Sequence, residues 1–336
     1  MNQAMVDNIV RAVLYEGYIL YPYRPSSVKN RQRWTFGGIY PRAFSDQQAG
    51  TDPWTMQTQC PVRGTAPTLH ITARFLHLAD RKIEQATGGG EFQPVASMEA
   101  GGRSYQTWQE AVEREVDLGE VALGDLSPQP RRTDFSFAGC TETQPLKEND
   151  GRTVGRLART QQPIAGSVEL SAVRAKNDVC VVTVRILNLT PIDDDAPIDR
   201  DASLLRSFAS THAILVARQG EFISLTDPPD DLREIAAGCQ NIGCWPVLVG
   251  EPGENDAVLA SPIILEDHPR IAPESPGDLF DSSEIDEILT LRILTLTDEE
   301  KRQAVAADHR AAEMFARTEA LARGQLANLH GVMRHG

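Results

Sequence analysis

The stretch SVELSAVRAKNDVCVVTVRILNL, residues 167–189, decides the fold. Over 167–175, Val168, Leu170 and Ala172 alternate with mostly polar neighbours, a period of two that turns one face of an extended strand toward a core. Lys176, Asn177 and Asp178 then supply turn chemistry, and residues 179–189 continue as a second strand, so the pair reads as a β-hairpin. The second arm is rich in Val, Ile and Leu on both faces and is expected to be a central strand covered on both sides.

Working outward, residues 68–78 (TLHITARFLHL) alternate in the same way, with Leu69, Ile71, Ala73 and Phe75 in step. Shorter strands are expected at 55–59, 134–137, 213–217 and 221–225. The last two are separated by Arg218, Gln219 and Gly220, a hairpin spacing with glycine where positive φ is cheapest. The window 105–118 reads two ways: Thr107 followed by Glu110 has the form of a capping box, while Trp108, Val112 and Val116 fit a strand face, and helix is the preferred reading. Residues 88–90, 127–132 and 145–152 read as turned or flexible connections. Short strands with turn signals, and no long helical pattern between them, point to a mainly β (α+β) fold. An antiparallel, sandwich-like body is expected rather than a Rossmann-type sheet.

The character changes from residue 261. Pro262, Pro269, Pro273 and Pro276 exclude a helix interior and favour an extended arm. Ser282 or Ser283 can then cap a helix in which Ile285, Ile288, Leu289, Ile293 and Leu296 share a stripe, and Thr297 with Glu300 opens a second helix. The expected organisation is a basic, aromatic segment at 1–50, antiparallel β structure at 51–260, and an acidic arm with a helical hairpin at 261–336.

Composition bounds the function. The 336 residues are enough for about two domains, and 33 Lys plus Arg against 47 Asp plus Glu leave a net charge of -14. That balance opposes nucleic-acid binding at long range. No apolar run approaches the roughly 20 residues of a membrane span. Residues 1–13 lack the flanks of a secretory signal, and the 5 cysteines are an odd number, so a reducing, cytoplasmic setting is expected. Nucleotide-binding loops, nucleophile elbows and zinc-protease motifs are all missing. Their absence argues against an enzyme without excluding one: a non-enzymatic protein with no catalytic residue and no cofactor is the leading expectation, and a metal-binding protein or metal-dependent enzyme using Cys239 and Cys244 is the alternative.

Two groups of residues invite a sharper reading. Cys239 and Cys244 could be two thiolates of a tetrahedral metal site, with His212 and His268 as further ligands. Trp245 and Pro246 directly after Cys244 favour a packed turn with structural thiols instead. His70 and His77, seven positions apart on one strand, fall on opposite faces and cannot grip one ion. The acidic run Asp193, Asp194, Asp195 fails as a calcium loop, because Pro197, Ile198 and Leu204 occupy positions that need a ligand, a glycine and a glutamate.

The second group is the N-terminal segment. Residues 17–45 hold Arg24, Lys29, Arg31, Arg33 and Arg42 with no acidic residue, interleaved with Tyr18, Tyr21, Tyr23, Trp34, Phe36, Tyr40 and Phe44. This is the chemistry of interface hot spots. The expected partner-binding residues are Tyr21, Tyr23, Arg24, Lys29, Arg31, Arg33 and Trp34, with Pro262, Asp267, Pro273, Glu274, Asp278 and Phe280 on the arm. Pairing of the basic segment with the acidic arm, within one chain or between copies in a homo-oligomer, is the competing reading.

Three strings are specific enough to compare: LYPYRPSSVKNRQRWTFGGIYPR (20–42), CWPVLVGEPG (244–253) and SPIILEDHPRIAPESPGDLFDSSEIDEILTLRILTLTDEEK (261–301). They resemble a bacterial family encoded in the accessory gene clusters of high-affinity, actinobacterial-type nickel-iron hydrogenases. The resemblance implies a role in maturation, assembly or attachment of a hydrogenase, with a hydrogenase subunit or maturation factor as partner. It carries over no activity, catalytic residue or cofactor. Metal handling would call for more Cys and His in ligand spacing, which favours a scaffold over metal delivery.

Overall fold

The computed structural model describes residues 3–15, 36–49, 51–126, 129–192, 199–270 and 297. The strands in chain order are β1 (Thr55–Arg63), β2 (Thr68–Gly88), β3 (Glu91–Val95), β4 (Ser97–Ala100), β5 (Arg103–Gln106), β6 (Trp108–Ala122), β7 (Arg131–Phe137), β8 (Cys140–Lys147), β9 (Thr153–Gln161), β10 (Ile164–Lys176), β11 (Val179–Asn188), β12 (Phe208–Arg218), β13 (Glu221–Phe222), β14 (Trp245–Leu248) and β15 (Ala257–Ser261). The helices are α1 (Gln3–Tyr15), α2 (Arg42–Gln47), α3 (Arg200–Leu204) and α4 (Arg233–Ala237). All the strand pairings are antiparallel, and the fold is mainly β.

The hairpin expected at 167–189 is β10 and β11, with Val168 opposite Ile186 and Leu170 opposite Val184. It lies inside a five-stranded sheet ordered β13-β1-β11-β10-β7. The facing sheet runs β14-β15-β12-β2-β9-β8, with β3 and β6 also paired to β2. One core lies between them, drawing Met56, Cys60, Val182, Val184, Val168 and Leu170 from the first sheet and Leu69, Ile71, Phe75, Leu215 and Val258 from the second. Its centre is aromatic: Phe75 stacks on Phe208 at 4.5 Å between ring centroids, and Phe135 and Phe137 close on the same ring. β11 is central, between β1 and β10, but its outer face is only half-covered, because Arg185 on that face is exposed and Thr183 partly so.

β2 organises the molecule. Its first two-thirds pairs with β12 on one side and β6 on the other, and its last third pairs with β9 and β3 instead. One continuous strand therefore spans the sandwich and a second lobe. That lobe has its own small core of Ile83, Ala100, Leu146 and Leu157, closed by the β4-β5 hairpin through Met98 and Tyr105. Gly155 makes this closure possible: a Cβ there would meet the Met98 sulfur and the Glu84 carbonyl, each at 2.6 Å. On the outer face of the sandwich, Val6, Ile9, Val10 and Val13 of α1 recur at helical spacing and bury against Ile214, Val247, Val249, Ala257 and Leu259. At upper-limit transfer values, each such side chain contributes about 1.5–3 kcal/mol.

Three expectations are corrected. The window 105–118 is strand, the end of β5 and most of β6, because β2 offers matching cross-strand partners: Glu115 meets Arg74 at 2.6 Å and Glu110 meets Arg81 at 2.7 Å. Residues 213–217 and 221–225 are not a hairpin; β12 stays with β2 and β15 while β13 pairs with β1, so the turn carries the chain from one sheet to the other. Gln219 takes the positive φ of 57°, and Gly220 is needed instead for its close approach to Pro67, 2.7 Å from a would-be Cβ. Residues 145–147 and 131–132, read as connections, belong to β8 and β7. The expected C-terminal helices at 285–318 lie outside the described residues, apart from Thr297.

Candidate functional site

Cys244, Trp245, Pro246, Asp267 and His268 come together at the edge strand β14. Pro246 has no N–H to offer, which makes this strand a poor template for further pairing. The arm then closes it. The Leu248 amide donates to Asp267 Oδ1 at 2.8 Å, and the His268 amide donates to the Leu248 carbonyl at 2.8 Å. Asp267 Oδ2 accepts from Ser224 Oγ at 2.6 Å and from Thr226 Oγ1 at 2.8 Å, tying the loop after β13 to the same carboxylate. Arg270 pairs with Glu251 at 3.3 Å.

Two expected partner residues are thereby reassigned. Asp267 is consumed by these internal bonds. Pro262 is buried, packed so closely on Gly37 that a Cβ there would lie 2.4 Å from the proline ring. Both belong to the fold of their own chain. Tyr21, Tyr23, Arg24, Lys29, Arg31, Arg33, Trp34, Pro273, Glu274, Asp278 and Phe280 lie outside the described residues. At the end of the basic segment, Tyr40 and Phe44 are buried in a core with Leu14, Leu76 and Leu204, and Arg42 stacks on Trp54 at 4.7 Å.

The thiols are built into the packing. Cys244 Sγ donates to the Gln57 carbonyl at 3.1 Å, Cys239 Sγ donates to the Ile235 carbonyl at 3.4 Å, and Cys60 lies beside the Thr58 hydroxyl at 3.7 Å. Burial pushes Cys60 and Cys244 up to about 12 and Cys239 up to about 11, which disfavours thiolate, the form that binds metal. His212 shares the α1-covered face of β12 with Ile214, whereas Cys244 belongs to the core between the sheets. His268 faces the Gly250 carbonyl at 3.3 Å. Among the described residues, no group of three or more His, Cys, Asp or Glu is arranged to hold a metal ion. After the acidic run, Asp199 caps α3 by accepting from the Ala202 amide at 2.6 Å. His70 pairs with Asp117 at 2.6 Å, and the Gly119 amide together with His70 holds that carboxyl below the usual range.

What the edge presents outward is apolar. Trp245 and Ile242 are each 47% exposed and Ile264 is 72% exposed. Trp245 is paired with Ser261, three residues before Ile264, while Ile242, three residues before Trp245, is bridged to Gln57 of β1. Sequence reasoning read Trp245 with Pro246 as a packed turn and gave Ile264 no role, whereas Trp245 opens β14 and stands half in water. Among the described residues, no helix is long and apolar enough to cross a membrane. No protein-family model matches the chain, and a search of curated proteins finds no significant match.

Proposed function

We propose that this protein is a non-enzymatic accessory or assembly factor of the cytoplasm that binds another protein through the β14 edge, with the arm beyond it as a second contact. The observation that carries the reading is the half-exposed Trp245 on the edge strand that Asp267 ties to the arm, with the exposed Ile242 and Ile264 three residues from it and from its partner Ser261 along the chain. A large aromatic side chain left in water on a fixed backbone is the usual anchor of a protein interface. The resemblance of residues 20–42, 244–253 and 261–301 to a hydrogenase-cluster family supplies the partner class, a hydrogenase subunit or maturation factor.

Affinity capture of the tagged chain from its host, compared with a Trp245→Glu variant, tests this reading. Hydrogenase subunits or maturation factors that come with the wild type and are lost from the variant, at unchanged melting temperature, support it. Equal recovery by both proteins, or a chain that elutes alone with a stoichiometric metal, overturns it.

A further inference from the structure

The N-terminal helix lies across a buried histidine. In the register of β12 with β2, Ala209 stands opposite Leu76, His212 opposite Arg74 and Ile214 opposite Thr72. Leu14 of α1 packs in the cluster of Leu76 and Ala209, and Val6, Ile9, Val10 and Val13 pack in the cluster of Ile214. Asp7 of the same helix meets Arg74 at 3.7 Å. The helix thus contacts β12 on both sides of the His212 position, and the ring is closed to solvent.

This ring is built to stay neutral. Nδ1–H donates to the Ser210 carbonyl at 2.6 Å, which leaves Nε2 as a bare acceptor, buried and without a partner. Among the described residues the charge nearest the ring is Arg74 of β2, and the carboxylates of Asp7 on α1 and Glu115 on β6 are both turned to that guanidinium, Glu115 at 2.6 Å. β15 offers no charge: it ends at Ser261, one residue past the Ala213-Ala260 pair, and the Ser261 hydroxyl donates to the Ile263 carbonyl at 2.8 Å. A proton on Nε2 would therefore make a buried cation with no acceptor, next to another cation.

Of the elements around the ring, α1 is the one that can yield. Among the described residues no backbone hydrogen bond joins it to a strand, so it can leave without breaking a ladder, whereas His212 is fixed between β2 and β15. We infer that α1 is an acid-released cover: a proton taken from solvent onto His212 Nε2 lifts the helix from β12 and opens the apolar face of Ile214, Val247, Val249, Ala257 and Leu259 while the sandwich stays folded. The release frees Asp7 from Arg74 and lets water reach the ring. It does not depend on the function proposed above.

Hydrogen exchange of the full chain, read peptide by peptide by mass spectrometry at pH 7 and pH 5 and corrected for the intrinsic effect of pH, is the test. Burial, opposed by the Ser210 bond and aided by Arg74, lowers His212 from 6.5 to about 4 in the closed state. One proton bound on opening should then raise the opening constant of α1 roughly twentyfold between the two pH values, with β10 and β11 still protected. His212→Leu should hold α1 closed at pH 5. His77, on the other face of β2, is present in both proteins and does not enter the difference. If the leucine variant does not fold, His212→Gln carries the comparison. Equal protection of α1 at both pH values, a loss that runs in step through β10 and β11, or a loss that the folded variant shows in full overturns this role.

Discussion

Asp267 holds Leu248 at the open edge of the larger sheet: its carboxylate takes the Leu248 amide at 2.8 Å while the next residue, His268, returns its own amide to the Leu248 carbonyl. A strand edge that would otherwise offer its backbone to any other chain is closed from within. Asp267→Ala removes a charged acceptor shared by three donors and should lower stability by about 2–3 kcal/mol, with Asp267→Asn milder. Urea unfolding measures it, and an unchanged midpoint for the alanine variant would separate the arm from the fold.

Gly166 of β10 lies under the aromatic centre, where a Cβ would meet Phe135 at 2.6 Å, Phe208 at 2.9 Å and the Leu187 carbonyl at 2.6 Å. Two of these contacts are rigid rings packed on Phe75 and the third is backbone. Gly166→Ala should therefore cost about 1–3 kcal/mol through overpacking, seen as a lower midpoint at constant denaturant slope.

Acid should destabilise the protein well above the carboxylate range. His77 and His212 are both lowered by burial from 6.5 to about 4, against weaker opposing bonds to the Gln162 and Ser210 carbonyls. Between those values the unfolded chain binds protons that the folded chain refuses. Stability is then full above about pH 6.5 and falls as the pH drops toward 4. Denaturant titrations across this window should show that slope, and His212→Leu should flatten it.

The thiols should divide by burial. Cys140 is exposed, whereas Cys60 and Cys244 are buried and pushed up to about 12. Ellman's reagent at neutral pH should modify Cys140 at once, Cys180 and Cys239 more slowly, and Cys60 and Cys244 only on unfolding. Mass mapping of the adducts checks the order. Rapid native modification of Cys244 would contradict its place in the core.

Much of the sheet was legible because period-two alternation is a local signal. Residues 68–75 and 167–188 display their core face in the sequence itself, and the Lys176-Asn177-Asp178 turn declares the hairpin. The window 105–118 misleads for the opposite reason: Glu and Ala favour a helix in isolation, and only the opposing charges of β2, 29 and 41 residues earlier, make an acidic strand stable there. The β12 to β13 turn has hairpin spacing, but spacing does not say whether the second strand returns to the first or crosses to another sheet.

The candidate sites follow the same division. By itself the sequence determined a mainly β chain, with an acidic balance, scattered thiols and an arm broken by prolines, because these depend on residue type and short spacing. Only the tertiary structure decided that Pro262 and Asp267 serve their own fold and that Trp245 stands half in water. Such facts depend on contacts between positions as far apart as Gly37 and Pro262, and burial and charge pairing are settled only once those positions meet.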